Sequence, residues 1–191
     1  IVDRARNVRG GLSAPGGNRA TRPHVFIAMD ALDAFFGTEI GTLQLLLRIG
    51  LACLFGALLG LEREIRDRPA GLRTFMLVSL AACLFTIIAL EVSFLVETAE
   101  DQSSIRPDPL RIVEAVTAGV AFIAAGAIIR HSGRLEGLTT GAGMWLAGAI
   151  GLACGAGFIG IAALVTLLAL VIMVLFKWVE RYLPVTDDDE S

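Results

Sequence analysis

Between Gly137 and Phe176 the chain runs for 40 residues without one charged side chain. At 1.5 Å of rise per residue that is about 60 Å of helix, twice the roughly 30 Å hydrocarbon thickness of a bilayer. A core helix of a soluble domain has no use for such a length, so the run predicts two membrane crossings. Their turn is expected at Gly155 to Phe158, GAGF, where clustered glycines permit reversal. The same ruler finds three more apolar stretches upstream, carrying Arg48 in the first, Glu91 near the end of the second and Glu114 in the first turn of the third. The chain reads as an all-α membrane protein with five transmembrane helices, at about 42–61, 74–96, 112–129, 138–155 and 158–178. Its mean hydropathy of +0.71 is above what a soluble core needs.

Orientation follows from Lys and Arg in the short loops. One side carries Arg63, Arg66, Arg68, Arg73, Arg130, Arg134, Lys177 and Arg181. The other has Arg106 and Arg111, diluted by Glu97, Glu100, Asp101 and Asp108. This bias predicts an N-terminus outside and a C-terminus in the cytoplasm, with Trp178 and Tyr182 at the interface and residues 184–191 as an acidic cytoplasmic tail. Residues 1–28 oppose that assignment with Arg4, Arg6, Arg9, Arg19 and Arg22. They lack an apolar h-region and are rich in Gly, Arg and Pro, so they read as a disordered leader or as lying upstream of a natural start at Met29. The transmembrane domain is then 29–183.

Helices in a bilayer associate through close backbone packing, which small residues permit. The fourth span concentrates them, Gly148, Gly151 and Gly155 among others, and is expected to be central. Gly56 and Gly60 repeat the spacing in the first span, and Gly119 and Gly126 mark the third. Packing alone is the plainest reading of these glycines; a glycine-lined passage for a small solute is the other. The fifth span is bulky all round and reads as lipid-facing.

Ionisable residues within spans mark sites or paired contacts. Arg48 is placed to snorkel to the outer face, Glu114 complements a helix N-terminal dipole, and Glu91 would form an acidic mouth with Glu97 and Glu114. In GLEREIRDRPAGLRT, Gly60 to Thr74, helical continuation pairs Glu62 with Arg66 and Arg63 with Asp67 at i,i+4 before Pro69 and Gly71 break the chain. Such exposed pairs are worth about 0.3–0.5 kcal/mol, so stability does not explain them. The arginines suit a positive-inside loop with headgroup contacts; the carboxylates do not follow from topology. Glu62 should sit at the membrane boundary, partly desolvated.

Cys53, Cys83 and Cys154 lie far apart inside apolar runs, without zinc spacing, and read as small buried hydrophobes. His24 and His131 fall in polar segments. No GxSxG, HExxH or paired intramembrane aspartates occur, which disfavours an enzyme; no catalytic residue, metal site or cofactor is expected.

GALLGLERE, followed by RPAGLRTFMLVSLAA (Arg68 to Ala82) and GAIIRHSGRLEGLTTGAGMWLAGAIGLACGAGF (Gly126 to Phe158), resembles the MgtC/SapB family of bacterial inner-membrane proteins. The resemblance runs from about Leu43 to Tyr182. It implies a five-span protein tied to low-magnesium adaptation and, in some pathogens, to survival inside macrophages. Virulence-associated members are regulators that bind other membrane proteins, including the F-type ATP synthase, and carry a cytoplasmic ACT-like domain. Only LPVTDDDES follows Tyr182 here, so the chain looks like the short, SapB-like form. Family glycines are replaced in AGVAFIAAG and TTAA reads TTGAG, exchanges among small residues. The motifs point to Glu62, Arg68, Gly71, Arg73 and Thr74 in the first cytoplasmic loop. In and after the second they point to Arg130, Gly137, Thr139, Thr140 and Trp145.

Two functional readings follow. The first is a regulatory inner-membrane protein linked to magnesium homeostasis, whose cytoplasmic loops form one Glu/Arg cluster, Glu62 pairing Arg68, Arg73 or Arg130. Its partners would be the bilayer and other membrane proteins such as ATP synthase or transporters, with a homo-oligomer also open and no nucleic acid. The second is a transporter or channel for magnesium or an anion, with that cluster at its mouth. Magnesium wants an octahedral set of oxygens, yet Glu62, Glu64 and Asp67 lie among four arginines, a setting better suited to an anion or a lipid headgroup.

Overall fold

The computed structural model describes residues 35–65, 70–98, 108–131 and 134–182. The chain divides into two units, Ile1–Gly37 and Thr38–Ser191. Of the first, residues 35–37 are described, including an edge-on ring pair of Phe35 and Phe36 with centroids 5.4 Å apart. Among the described residues, the second unit contains five helices: α1 Thr42–Glu64, α2 Leu72–Thr98, α3 Pro109–Gly126, α4 Leu138–Gly155 and α5 Ile159–Tyr182. Between α3 and α4 lie two short strands, β1 Ile129–His131 and β2 Arg134–Glu136.

Local chemistry sets the helix ends. Asp108 caps α3, its carboxylate accepting from the Leu110 amide at 3.0 Å with Pro109 in the first turn. The end of α1 caps the start of α2, since Glu64 accepts from the Leu72 amide at 3.0 Å. The turn after α4 is a Schellman closure. Phe158 donates to the Ala153 carbonyl at 2.8 Å and Gly157 to that of Cys154 at 3.0 Å, with Gly157 at φ +87°. The reversal therefore falls within GAGF.

Among the described residues, three helices are long and apolar enough to cross a membrane: α1, the Leu72–Val96 part of α2, and α4. α5 carries an apolar stretch, Ile159–Leu175. The third helix differs from expectation at its C-terminal end, because α3 stops at Gly126 and Ile129 already belongs to β1. β1 and β2 pair antiparallel with His131 opposite Arg134, so the second loop is a hairpin. The flanked Ser132-Gly133 dipeptide is the sequence signal that could have announced it.

α4 touches all four other helices. Its glycines let it: a Cβ on Gly151 would collide with the Ser79 carbonyl, and one on Gly155 would lie 2.6 Å from the Cys83 carbonyl oxygen. α1 meets α2 in the same way further toward the start of α2, since Cβ atoms on Gly56 and Gly60 would lie 2.8 Å from Phe75 O and 2.7 Å from Leu72 Cα. Ser79 sits where these three helices cross, fully buried, and donates to the Ala52 carbonyl of α1 at 2.8 Å. Phe75, Leu59, Ile150, Cys83 and Cys154 fill the junction. Cys53 is only half-buried.

Two packing expectations change. Gly119 and Gly126 hold no neighbour, for a Cβ at either would meet nothing within 4 Å. α5 is exposed on most sides but not all: Ala162, Thr166 and Ala169 form a buried seam of small side chains.

Candidate functional site

The C-terminal end of α1 turns one of its arginines into the bundle. Arg63 is 5% exposed and donates through Nη2 to Thr140 Oγ1 in the first turn of α4, itself 1% exposed. A guanidinium taken from water needs such acceptors, because unpaired burial of charge costs several kcal/mol. Beside it, Glu62 has both carboxylate oxygens shielded from solvent. Glu64 faces the other way and holds α2.

Two glycines make this convergence possible. Gly71 packs directly on the Glu64 carboxylate, where a Cβ would overlap Oε2. Gly137 precedes α4 at φ +87°, a left-handed conformation suited to glycine, and a Cβ there would strike the Ala127 carbonyl. The hairpin thus returns to α4 directly against the end of α3.

A second arginine acts at the far end of the same two helices. Arg48 of α1 donates through Nη1 to the Gly155 carbonyl at 2.8 Å, and its Nη2 packs on Gly157. The expected outward snorkel is overturned: a cation at a helix C-terminus meets carbonyls that have no intrahelical partner, and α4 ends within its reach. Arg48 to Arg63 on α1 and Thr140 to Gly155 on α4 are both steps of 15 residues, about 22 Å of helix each. The antiparallel helices are fastened at matching heights.

Of the other residues read from the motifs, Arg73 and Thr139 are exposed and Thr74 is half-buried. Arg68 and the Arg130 side chain lie outside the described residues, as do Arg66 and Asp67, so the Glu62 and Arg63 helical pairings do too. Trp145 does not join the cluster. It stands five positions after Thr140, about 140° around the helix, and is 48% exposed in a groove between α3 and α4. The acidic mouth is not what Glu91 builds: its two oxygens accept from the amides of Glu39 and Ile40 at 3.0 and 3.1 Å, fixing the approach to α1. Glu114 is exposed, and the Glu97 side chain is not among those described. Gly148 packs on Val120 of α3. No group of three His, Cys, Asp or Glu side chains that could hold a metal ion occurs among the described residues.

Apolar helices joined by glycine-to-backbone contact, with a buried arginine tied to a hydroxyl and a half-buried one tied to a helix end, define a helical membrane protein. The chain belongs to the MgtC family, whose model matches residues 49–182. It is 38% identical to Protein SapB of Bacillus subtilis (strain 168) over 72% of this chain and 59% of that protein. It is 36% identical to Protein MgtC of Brucella abortus (strain 2308) over 66% of this chain and 48% of that protein. A third relative is YhiD of Escherichia coli (strain K12), whose name proposes magnesium transport, at 33% identity over 71% of this chain and 61% of its own length. The chain spans about half to three-fifths of these relatives. No solved structure matches it.

Proposed function

We propose that the chain is a regulatory inner-membrane protein of the MgtC/SapB type, linked to growth under low magnesium, and not itself a conduit. The observation carrying this reading is the filled junction of α1, α2 and α4. Leu59, Phe75, Ser79, Cys83 and Cys154 are all fully buried there, and glycines press on backbone. An ion path needs a wall of carbonyls or charged side chains around an open line, which a junction closed by Phe75 and Leu59 does not offer. All five helices cross the bilayer, the N-terminus lies outside, and the end carrying Arg63, Thr140 and the hairpin faces the cytoplasm.

The cytoplasmic end is then the surface that other membrane proteins read, with Arg73 and Thr139 exposed there and the shielded Glu62 carboxylate supporting it beside the buried Arg63–Thr140 contact. ATP synthase or transporters are the partner classes. Glu62→Gln tests it. In a strain lacking the native gene, the variant should insert and accumulate like wild type but fail to restore growth at low magnesium. Full restoration would contradict a role for the Glu62 carboxylate.

A further inference from the structure

The turn between α4 and α5 does not reach the end of the bundle. Arg48, which bonds to it, lies six residues into α1, about 9 Å of helix. α2, which meets Gly155 at Cys83, continues 15 residues further to Thr98, about 22 Å. The turn is therefore sunk below the rim formed by α1 and α2. Beside it lies a cavity of about 420 Å³ between α2, α3 and α4. Its wall is almost wholly apolar, with Val116 and Val120 facing Trp145, Leu152 and Ala153. Ala156 and Phe158 of the sunken turn are also part of its lining.

Arg48 supplies a second, independent feature. Its guanidinium is half-buried at this depth, and among the described residues its one hydrogen bond is to the Gly155 carbonyl and no carboxylate pairs it. A cation placed so calls for an anion, and the planar fork suits phosphate. Arg48 touches Gly155 and Gly157 while Ala156 and Phe158 line the cavity, so charge and groove share one four-residue turn.

We propose that this turn is a phospholipid site: the lipid phosphate sits on Arg48 and one acyl chain lies in the groove between α3 and α4. A hydrocarbon chain fits the wall better than water, which needs polar partners. Charge complementarity selects a phosphate-bearing lipid over a neutral one. The proposal rests on the bilayer placement above and is independent of the regulatory reading, which concerns the opposite end.

Trp145 reports on the groove, and Trp178→Phe removes the one other tryptophan. In vesicles containing phosphatidylglycerol with brominated acyl chains, Trp145 should be quenched at about tenfold lower lipid fraction than with brominated diacylglycerol, the weight of one charge-assisted contact. Arg48→Gln, which can still donate to the Gly155 carbonyl, should erase that preference. Ala153→Phe, which fills the groove and spares Arg48, should weaken quenching by both lipids. Protein purified in mild detergent should retain one phospholipid by native mass spectrometry and lose it in either variant. Equal quenching by the two lipids, displacement by free inorganic phosphate alone, or unchanged quenching in Ala153→Phe would overturn the site. Quenching that falls as the protein-to-lipid ratio rises would overturn it in favour of a second copy covering the groove.

Discussion

A guanidinium at 5% exposure stays in place only where acceptors meet it, and for Arg63 the Thr140 hydroxyl is one of them. Hydrogen bonds to charged groups contribute about 1.5–3 kcal/mol. Thr140→Val keeps the side-chain shape and removes the acceptor, so it should lower stability in detergent by about that amount, whereas Thr140→Ser should be close to neutral. In an Arg63→Gln background the Val substitution should cost much less. Additive losses in that double-mutant cycle would show that the two side chains do not couple. The arginine's inward turn was not legible in the sequence, where Arg63 is one of seven charged residues between Gly60 and Thr74 that all look solvated. Thr140 was singled out only through its family motif, because a threonine in a glycine-rich run carries no signal of its own.

At the scale of elements, the helices were legible because apolar runs of bilayer length have few other uses. The central place of α4 followed from its glycines. What spacing could not tell was which glycines touch anything: Gly151 meets Ser79 on α2, while Gly119 faces open space. Two substitutions separate these cases. Gly151→Ala drives a Cβ into the Ser79 carbonyl and should cost about 1–3 kcal/mol or more, read as a fall in melting temperature. Gly119→Ala has room and removes backbone entropy, so it should leave stability unchanged or raise it by up to about 1 kcal/mol. Equal losses at both positions would contradict the packing described. Arg48 was misplaced for a related reason: its partner is the end of α4, 107 residues away, and a snorkelling arginine and a helix-capping one look alike in sequence. The hairpin was missed because its strands are three residues each, too short for alternation to register.

For the whole molecule, the two arginine contacts at matching heights make α1 and α4 a fixed pair, and α2 packs against both at Ser79. The orientation in the membrane is testable by single cysteines at Asp108 and Glu136, positions at opposite ends of the α3 and hairpin segment. A membrane-impermeant maleimide should label Asp108→Cys in intact cells and Glu136→Cys only after lysis; the reverse pattern would invert the topology. The central claim is that this filled bundle regulates and does not conduct. Purified protein in proteoliposomes, loaded with a magnesium-sensitive dye and placed across a magnesium gradient, should show no flux above protein-free vesicles. Robust flux that scales with protein content and is abolished by Glu62→Gln would contradict the account.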